Sequence, residues 1–307
     1  MIAERALNKP YYFLRPRQAV RRVRRLRGAP PVGLTRAPVA WGAELEVLPT
    51  DAVGASIWRA GVFELAVSEA IARLLDPGDL AIDAGANIGY MTCLMASKVG
   101  DKGRVIAYEP HPDLHAILRA NAARAAGPCD VTLVQAALSD RSGEGQLVLG
   151  SQFERNMGTA SLAAQDTDAA GGAVTVAVER LDDRLPHGTR AGVVKIDVEG
   201  HELSVLRGAR TAVAQRRIRD IVFEENAKLP TPVTRLLEAA GYVIFGLDQR
   251  FFGPRLVDPR EPRARPLWEA PTYLATLDVE RARRRMRPRG WRVLRESRPD
   301  RDVGSVS

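Results

Sequence analysis

The stretch Leu80-Ala81-Ile82-Asp83-Ala84-Gly85-Ala86-Asn87-Ile88-Gly89 decides the fold that we expect for this chain of 307 residues. Its first half is a short, mainly apolar run that predicts a buried strand. Glycines at positions 85 and 89 then predict a tight turn into a helix. The N-terminus of such a helix directs free backbone amides towards a bound group. Because ligands of layered α/β folds lie at the carboxyl ends of the strands, this turn is a candidate ligand-binding loop.

Strand patterns and helix patterns alternate from this stretch onward. Helices are predicted at 88–99, 113–126, 203–214 and 233–240, and strands at 80–84, 104–108, 131–134, 193–198, 221–225, 242–247 and 273–277. Such alternation predicts an α/β fold whose sheet is mainly parallel and is flanked by helices. Within an interruption at 139–182, strand patterns at 146–149 and 174–178 predict an added antiparallel pair.

The positive charge of the chain is concentrated at its two ends. Of the net charge of +8, residues 1–27 contribute +8 and residues 281–307 contribute +7, so about −7 remains for the rest. A basic groove for nucleic acid in the body of the protein is therefore not supported, and no specific nucleic acid is expected. The basic ends could still make weak contacts with an anionic membrane or with another protein.

Composition and pattern divide the chain into four parts. We expect a basic arm at 1–27, a lead-in at 28–75 that packs on the main domain, that domain at 76–278, and a basic, flexible tail at 279–307. The sequence has no apolar run of the roughly 18 residues that a membrane helix needs, and no signal-peptide pattern. Its two cysteines lie in no metal-binding or disulfide pattern, so we expect a cytoplasmic protein.

The acids near the loop indicate what kind of ligand it binds. Glu109 follows Gly89 by twenty residues and ends the second strand of the alternation, where an acid can accept hydrogen bonds from ribose hydroxyls. The loop, however, lacks the G-x-G-x-x-G spacing of a pyrophosphate turn. Asp83 beside it suits a cationic ligand better than a pyrophosphate. S-adenosyl-L-methionine has no phosphate and carries an ammonium and a sulfonium, so it fits these features.

Four motifs extend this interpretation to a family. They are Asp83-Ala-Gly-Ala-Asn-Ile-Gly-Tyr90, Tyr108-Glu-Pro110, Ala137-Leu-Ser-Asp140 and Lys195-Ile-Asp-Val-Glu-Gly-His-Glu202. Together they resemble the FkbM-type S-adenosylmethionine-dependent methyltransferases, over roughly residues 60–278. The resemblance implies a class I methyltransferase, Rossmann-like fold with a seven-stranded sheet. It also implies O-methylation of a hydroxyl on a sugar, a polyketide or another small molecule.

The same resemblance implies cofactor-binding residues. The matching positions are Asp83, Gly85, Asn87 and Gly89 for the methionine part, Glu109 for the ribose, and Ala137 and Asp140 for the adenine. Asp140 has the alternative role of a turn residue before Ser142-Gly143. Glu64 lies in a stretch that also resembles the family and could reach the cofactor's ammonium, although an acid at a helix start is a common feature by itself.

The motif at 195–202 is the candidate catalytic stretch. Residues two apart on a strand share a side, so Lys195, Asp197 and Glu199 should face the ligand crevice together. His201 is the candidate general base because the pKa of histidine lies near working pH, and Glu199 is an alternative base. Asp197 is expected beside the cofactor, where it would position the acceptor or the methionine ammonium. Glu224 and Glu225 end the next strand and are candidates for acceptor binding, against the alternative of an exposed strand end.

Several alternatives stay open at this point. Asp197, Glu199 and Glu224 could hold Mg²⁺, but the sequence does not favour a metal and we predict no metal site. N-methylation of a small molecule is the nearest alternative activity. A nicotinamide-dependent oxidoreductase and an RNA- or membrane-associated binding protein are more distant ones. The sequence carries no readable code for the acceptor's identity or for the oligomeric state.

Overall fold

The computed structural model describes residues 29–149, 160–162, 172–185, 188–261 and 271–294. The strands are β1 (Thr35–Pro38), β2 (Glu44–Val47), β3 (Leu80–Ala84), β4 (Arg104–Tyr108), β5 (Asp130–Val134), β6 (Ala136–Leu138), β7 (Gly143–Val148), β8 (Ser161–Leu162), β9 (Ala173–Glu179), β10 (Ala191–Ile196), β11 (Ile218–Glu224), β12 (Val243–Arg250), β13 (Gly253–Val257) and β14 (Thr272–Thr276). The helices are α1 (Ala52–Ala60), α2 (Leu65–Leu74), α3 (Tyr90–Val99), α4 (Pro112–Ala125), α5 (Leu181–Arg184), α6 (Glu202–Gly208), α7 (Arg210–Ala214), α8 (Pro232–Ala239) and α9 (Val279–Met286).

An eight-stranded sheet forms the centre of the molecule, in the order β13-β12-β14-β11-β10-β3-β4-β5. The strands from β11 to β5 pair in parallel, and β14 is inserted antiparallel between β11 and β12. The predicted α/β fold with a mainly parallel sheet is therefore confirmed. All seven strands expected from the sequence are present, and β13 adds an eighth by forming a hairpin with β12.

Burial on both faces explains the apolar character of the central strands. Every residue of β3 and of β10 is buried, as expected for parallel strands that helices cover on each side. Ile82 and Val194 belong to a core shared with α6 and α8, whereas Ala81 and Val193 face a core shared with α2 and α3. The candidate ligand-binding loop therefore starts from a fully buried strand.

The interruption at 139–182 contributes a second, four-stranded sheet in the order β6-β9-β7-β8. Within it β7 and β9 pair antiparallel, which confirms the predicted added pair. The sheet is anchored by β6, which pairs in parallel with β9 directly after β5.

The N-terminal lead-in packs against the main domain through a polar contact as well as an apolar core. Asn121 in α4 accepts a hydrogen bond from the backbone of Glu46 (2.6 Å) and donates one back to it (2.9 Å). Its amide also donates to the carbonyl of Ile88 (2.8 Å), which ties β2 to the ligand-binding loop. Helix α1 was not predicted from the sequence. It is capped by Asp51, whose carboxylate accepts from the amides of residues 53 and 54.

The tail expected at 279–307 differs from the structure in its first part. Residues 279–286 form α9, and Trp291, Val293 and Leu294 are buried in the main core. Two buried charges of α2 hold this segment: Arg73 donates to the carbonyls of residues 285, 286, 288 and 290, and Glu69 accepts from the amides of residues 292 and 293. The prediction of a flexible tail rested on the high arginine content of this segment. In the structure these arginines lie among residues that pack on α2.

The remaining tail at 295–307 and the arm at 1–27 lie outside the described residues. Within the described ranges, no helix combines the length and the apolar character required to cross a lipid bilayer.

Candidate active site

Two glycines in the left-handed conformation shape the loop after β3. Gly85 has a φ of +77° and Gly89 a φ of +87°. A Cβ atom on Gly85 would lie 1.9 Å from the carbonyl oxygen of Asp197, and one on Gly89 would lie 2.6 Å from Leu118 Cδ1. Both conformations favour glycine, and Gly85 is also required for space because its neighbour is backbone, whereas the neighbour of Gly89 is the end of a leucine side chain. Gly85 lets the loop touch the chain that follows β10, so two of the sequence motifs meet there.

Asp83 lies beneath this loop rather than on its surface. Its side chain is fully buried and accepts a hydrogen bond of 2.6 Å from Thr92 Oγ1. The other carboxylate oxygen lies 3.5 Å from Lys195 Nζ. Burial raises the pKa of Asp83, whereas Lys195 and Thr92 act against that rise. The residue predicted to line the methionine part of the cofactor thus supports the site from below.

Lys195 links the two motifs electrostatically. Its Nζ lies 3.1 Å from Asp197 Oδ2 and donates a hydrogen bond of 3.1 Å to the carbonyl of Gly85. Burial by itself would lower the pKa of this lysine, but the carboxylates of Asp197, Asp83 and Glu64 outweigh it and raise the pKa. Lys195 is therefore charged. The predicted shared side of Lys195 and Asp197 is what allows the 3.1 Å contact.

Three carboxylates meet at the carboxyl edge of β10 and β11. One oxygen from each of Glu64, Asp197 and Glu224 lies within 4.8 Å of the others. Burial raises the pKa of Glu224 to about 8, and the charge of Asp197 adds to this rise while Lys195 opposes it. Like charges at this separation repel one another. The group, called the acidic trio below, is therefore suited to hold a cation or to retain a proton.

Backbone strain marks the same region. Four non-glycine residues in the described ranges have a positive φ, and three of them are predicted site residues: Glu64 (+41°), Asn87 (+51°) and Glu199 (+51°). Such conformations cost about 1–3 kcal/mol each and cluster at functional sites. Glu64 takes its strained conformation at the residue before α2, and this turn brings its carboxylate to Asp197 and Glu224.

Glu199 lies at the rim of this region. Its side chain is exposed, yet partial removal from water and the nearby charges of Asp197 and Glu202 raise its pKa to about 7. It is a titratable carboxyl on the solvent side of the acidic trio.

His201 belongs to a different group of side chains. Its Nε2 lies 2.8 Å from Ser139 Oγ, and Ser139 Oγ lies 3.3 Å from Asp140 Oδ1. Burial lowers the pKa of His201, which favours a neutral imidazole. The hydrogen bonds thus join His201 to the predicted adenine-binding stretch, away from the acidic trio. Its role as general base stays a prediction that these contacts do not support.

Glu109 is held in a fixed orientation at the end of β4. It is 5% exposed, and its two oxygens accept from the backbone amides of Asn87 (2.8 Å) and His111 (2.9 Å). Burial raises its pKa to about 7 although both hydrogen bonds lower it. Each oxygen keeps a second lone pair for a ligand hydroxyl. This geometry is compatible with the predicted ribose contact.

Two further predicted site residues, Ala137 and Glu225, have local contacts and do not belong to the acidic trio. Ala137 lies on β6 of the smaller sheet and is buried against Leu147 and Val176 of the same sheet. Glu225 accepts a hydrogen bond of 3.0 Å from the amide of Ala227, so its carboxylate closes a local turn. Of the two acids that end β11, only Glu224 joins the acidic trio.

Lys195 and Ser139 have contacts in the site that sequence reasoning did not assign to them. The alternation of β10 was a signal for Lys195, because it put the lysine on the same side as Asp197. Nothing in the sequence indicated that Ser139 would face His201, since the two lie 62 residues apart.

The strand order, the loop after β3 and the acids at the carboxyl edge define a class I S-adenosylmethionine-dependent methyltransferase. Residues 83–244 match the model of the Methyltransferase FkbM domain, and the chain belongs to the FkbM methyltransferase family. The resemblance that four motifs carried is therefore confirmed.

Three relatives of known name are similar to the chain. Hexuronic acid methyltransferase AglP of Haloferax volcanii is 32% identical over 193 residues, which cover 60% of this chain and 72% of the relative. Methyltransferase sdnD of Sordaria araneosa is 30% identical, with 53% and 73% covered. The 31-O-demethyl-FK506 methyltransferase FkbM of Streptomyces tacrolimicus is 35% identical, with 49% and 66% covered. The chain is an S-adenosylmethionine-dependent methyltransferase.

Proposed function

We propose that this enzyme transfers a methyl group to a hydroxyl oxygen of a small molecule such as a sugar or a polyketide. The observation that carries the proposal is the acidic trio beside the cofactor loop, with Glu224 raised to a pKa of about 8. A hydroxyl needs a base to take its proton as the new bond forms, and a group with a pKa near working pH is suited to that task. Two relatives support the acceptor class, since their names give a hexuronic acid and a 31-O-demethyl compound as substrates.

The donor groups fit S-adenosylmethionine. Glu109, fixed by two backbone amides, would accept from the ribose hydroxyls. Glu64 and Asp197 would hold the ammonium of the methionine part, which supplies the cation that the acidic trio favours. His201 with Ser139 and Asp140 would border the adenine. When bound, the cofactor supplies a methyl group on a sulfonium centre.

Within this arrangement Glu224 is the general base that we favour over His201 and Glu199. It lies within 4.8 Å of Asp197 and Glu64, the acids that we assign to the cofactor, whereas the ring of His201 is engaged with Ser139. Glu224 in its deprotonated form takes the proton of the acceptor hydroxyl. Glu199, an exposed carboxyl after β10, and Glu225, which follows β11, would contact the remainder of the acceptor.

The acidic trio is also the one place in the described ranges where carboxylates could bind a divalent ion. We do not favour that role, because Lys195 already puts a positive charge 3.1 Å from Asp197. Turnover that is unaffected by EDTA would support this assignment, and loss of turnover that Mg²⁺ restores would contradict it.

A reducing compartment such as the cytoplasm is our proposed location. Cys93 and Cys129 are both buried and unpaired. Burial raises the pKa of each thiol, so neither reacts readily as a thiolate.

A methyl-transfer assay with labelled S-adenosylmethionine tests the proposal. Hexuronic acids, neutral sugars and hydroxylated polyketides form the test panel, with matched amines in place of the hydroxyl as controls. We expect label in a hydroxyl acceptor and a methyl ether by mass spectrometry. Label in the amines alone would establish N-methylation instead. Thermal stabilisation by NAD and not by S-adenosylhomocysteine would contradict the choice of cofactor.

A further inference from the structure

A cavity lies at the edge of the central sheet, between the β12–β13 hairpin, α9 and the chain that follows α9. Its volume is about 500 Å³, within the range of small-ligand pockets. No acid lines it. Phe252 lies among its lining residues. The polar lining consists of five arginines: Arg250, Arg255, Arg283, Arg287 and Arg289.

The positive charge of this cavity is only partly balanced. Arg250 pairs with Asp248 at 2.5 Å, and Arg283 lies 3.7 Å from Glu280. In the part of the chain that the structure describes, the other three arginines, Arg255, Arg287 and Arg289, form no ion pair. Neighbouring like charges raise the local potential and favour an anion from solution. The cavity is thus a concentrated positive site on a molecule whose central region is acidic overall.

Buried hydrogen bonds fix the backbone that carries two of these arginines, Arg287 and Arg289. The guanidinium of Arg73 is 1% exposed and donates to the carbonyls of residues 285, 286, 288 and 290 at 2.6–3.3 Å. The amide of Gly290 donates to the carbonyl of Phe252 (2.6 Å), and Trp291 Nε1 donates to that of Phe251 (3.0 Å). The segment that carries Arg287 and Arg289 is therefore fixed to the hairpin. A binding site whose supports are preformed loses less entropy when a ligand arrives.

We propose that this cavity binds a phosphate group of an anionic ligand. Guanidinium groups bind phosphate through paired, charge-assisted hydrogen bonds. A phosphate monoester carries about −1.5 to −2 charges at neutral pH, which suits three unpaired arginines better than the single charge of a carboxylate. Phe252 is 67% exposed at the mouth of the cavity and offers an apolar contact to whatever the phosphate is attached to. The phosphate belongs either to a soluble molecule or to a lipid headgroup.

Calorimetric titration with inorganic pyrophosphate and co-sedimentation with vesicles that contain phosphatidic acid, a phosphomonoester lipid, form the two arms of the test. The variant is Arg287→Glu/Arg289→Glu in the full chain, and the control is Arg235→Glu, an exposed arginine on α8 outside the cavity. We expect the double variant to lose at least about tenfold in affinity for the probe that binds. The control should keep the wild-type affinity, and added salt should weaken binding.

The two arms distinguish the source of the phosphate. Pyrophosphate binding that the double variant loses identifies a soluble ligand, and vesicle binding that it loses identifies a lipid headgroup. The basic arm at 1–27 is present in every variant, so its contribution cancels in the comparison. Absence of binding to both probes, or equal binding by the wild type and the double variant, would overturn the proposal.

Folding is monitored independently of this site. Thermal unfolding and affinity for S-adenosylhomocysteine should be unchanged in the double variant, because both substituted residues are exposed. If charge reversal lowers the unfolding temperature, Arg287→Gln/Arg289→Gln gives the same comparison without new negative charge. The affinity of this glutamine variant for the phosphate probe should also fall. Wild-type affinity would show that the cavity is not the phosphate site.

Discussion

The ammonium nitrogen of Lys195 lies 3.5 Å from the carboxylate of Asp83, and both side chains are at most 5% exposed. Removing one partner of such a buried pair leaves an uncompensated charge and typically costs about 3–5 kcal/mol. Lys195→Met should therefore lower the free energy of unfolding by an amount of this order, measured by urea denaturation. Lys102→Met removes an exposed lysine and should cost under about 0.5 kcal/mol.

The loss in Lys195→Met should depend on pH. Without the lysine, the already raised pKa of Asp83 rises further. A carboxyl whose pKa is raised in the folded state makes the folded protein less stable as pH increases through that range. The destabilisation should thus be smaller at pH 5 than at pH 8. Equal losses at both pH values would show that Asp83 is not the group left unpaired.

Glu224 should control the pH dependence of turnover. A base works in its deprotonated form, so kcat/KM should rise with pH and level off above the pKa of about 8. Glu224→Gln should lower kcat by about 10²-fold or more and abolish this inflection. Glu225→Gln changes the neighbouring acid, which closes its own turn, and should keep the inflection. A Glu224→Gln enzyme with the wild-type profile would assign the base elsewhere.

His201 should affect cofactor affinity more than chemistry. Its ring contacts Ser139 at 2.8 Å, so His201→Ala should raise the Kd for S-adenosylhomocysteine about tenfold, as loss of a supporting contact does, while kcat falls less. Ser139→Ala is the matched variant and should change the Kd in the same direction. If kcat falls by about 10²-fold at unchanged affinity, His201 is the base and the assignment to Glu224 is wrong.

Gly85 and Gly100 separate two effects of adding a methyl group. Both have a positive φ, at +77° and +69°. A Cβ on Gly100 meets nothing within 4 Å, whereas one on Gly85 would lie 1.9 Å from the carbonyl of Asp197. The backbone of Gly100 (φ +69°, ψ −164°) lies in a region that essentially only glycine occupies, so Gly100→Ala should lower the free energy of unfolding by about 1–3 kcal/mol through conformation alone.

Gly85→Ala should lower the free energy of unfolding by more than Gly100→Ala does, and it should also displace the loop after β10. We expect loss of S-adenosylhomocysteine binding in calorimetry for Gly85→Ala and wild-type binding for Gly100→Ala. Similar behaviour of the two variants would mean that the contact with Asp197 relaxes easily.

Local pattern was sufficient to predict the central strands and the contact between Lys195 and Asp197. The apolar run before Asp83, the glycines after it and the alternation at Lys195 and Asp197 are each determined by nearby residues. These local features are therefore expected in any fold that buries those strands. The proximity of the residues that would hold the cofactor's ammonium could not be predicted from local pattern. Glu64 reaches Asp197 only because the chain before α2 turns at a strained residue.

Long-range contacts account for what the sequence did not predict. His201 is turned towards Ser139 by the packing of α6, where a Cβ on Gly208 would lie 1.9 Å from the Ser139 carbonyl oxygen. The segment at 279–294 has the composition of a solvated tail, and it is fixed to the core by partners distant in sequence, on α2, on β11 and in the β12–β13 hairpin. Neither relationship leaves a periodic signal in the residues around it.

The contact between Arg73 and residues 285–290 spans more than two hundred positions of the chain. During synthesis α2 is made early, whereas the carbonyl partners of Arg73 are made only when almost all of the described chain is complete. A chain that stops after β14 keeps the pair between Arg73 and Glu69 but lacks the four carbonyls that Arg73 binds. The residues after β14 therefore complete the core of this enzyme, although their composition is that of a solvated tail.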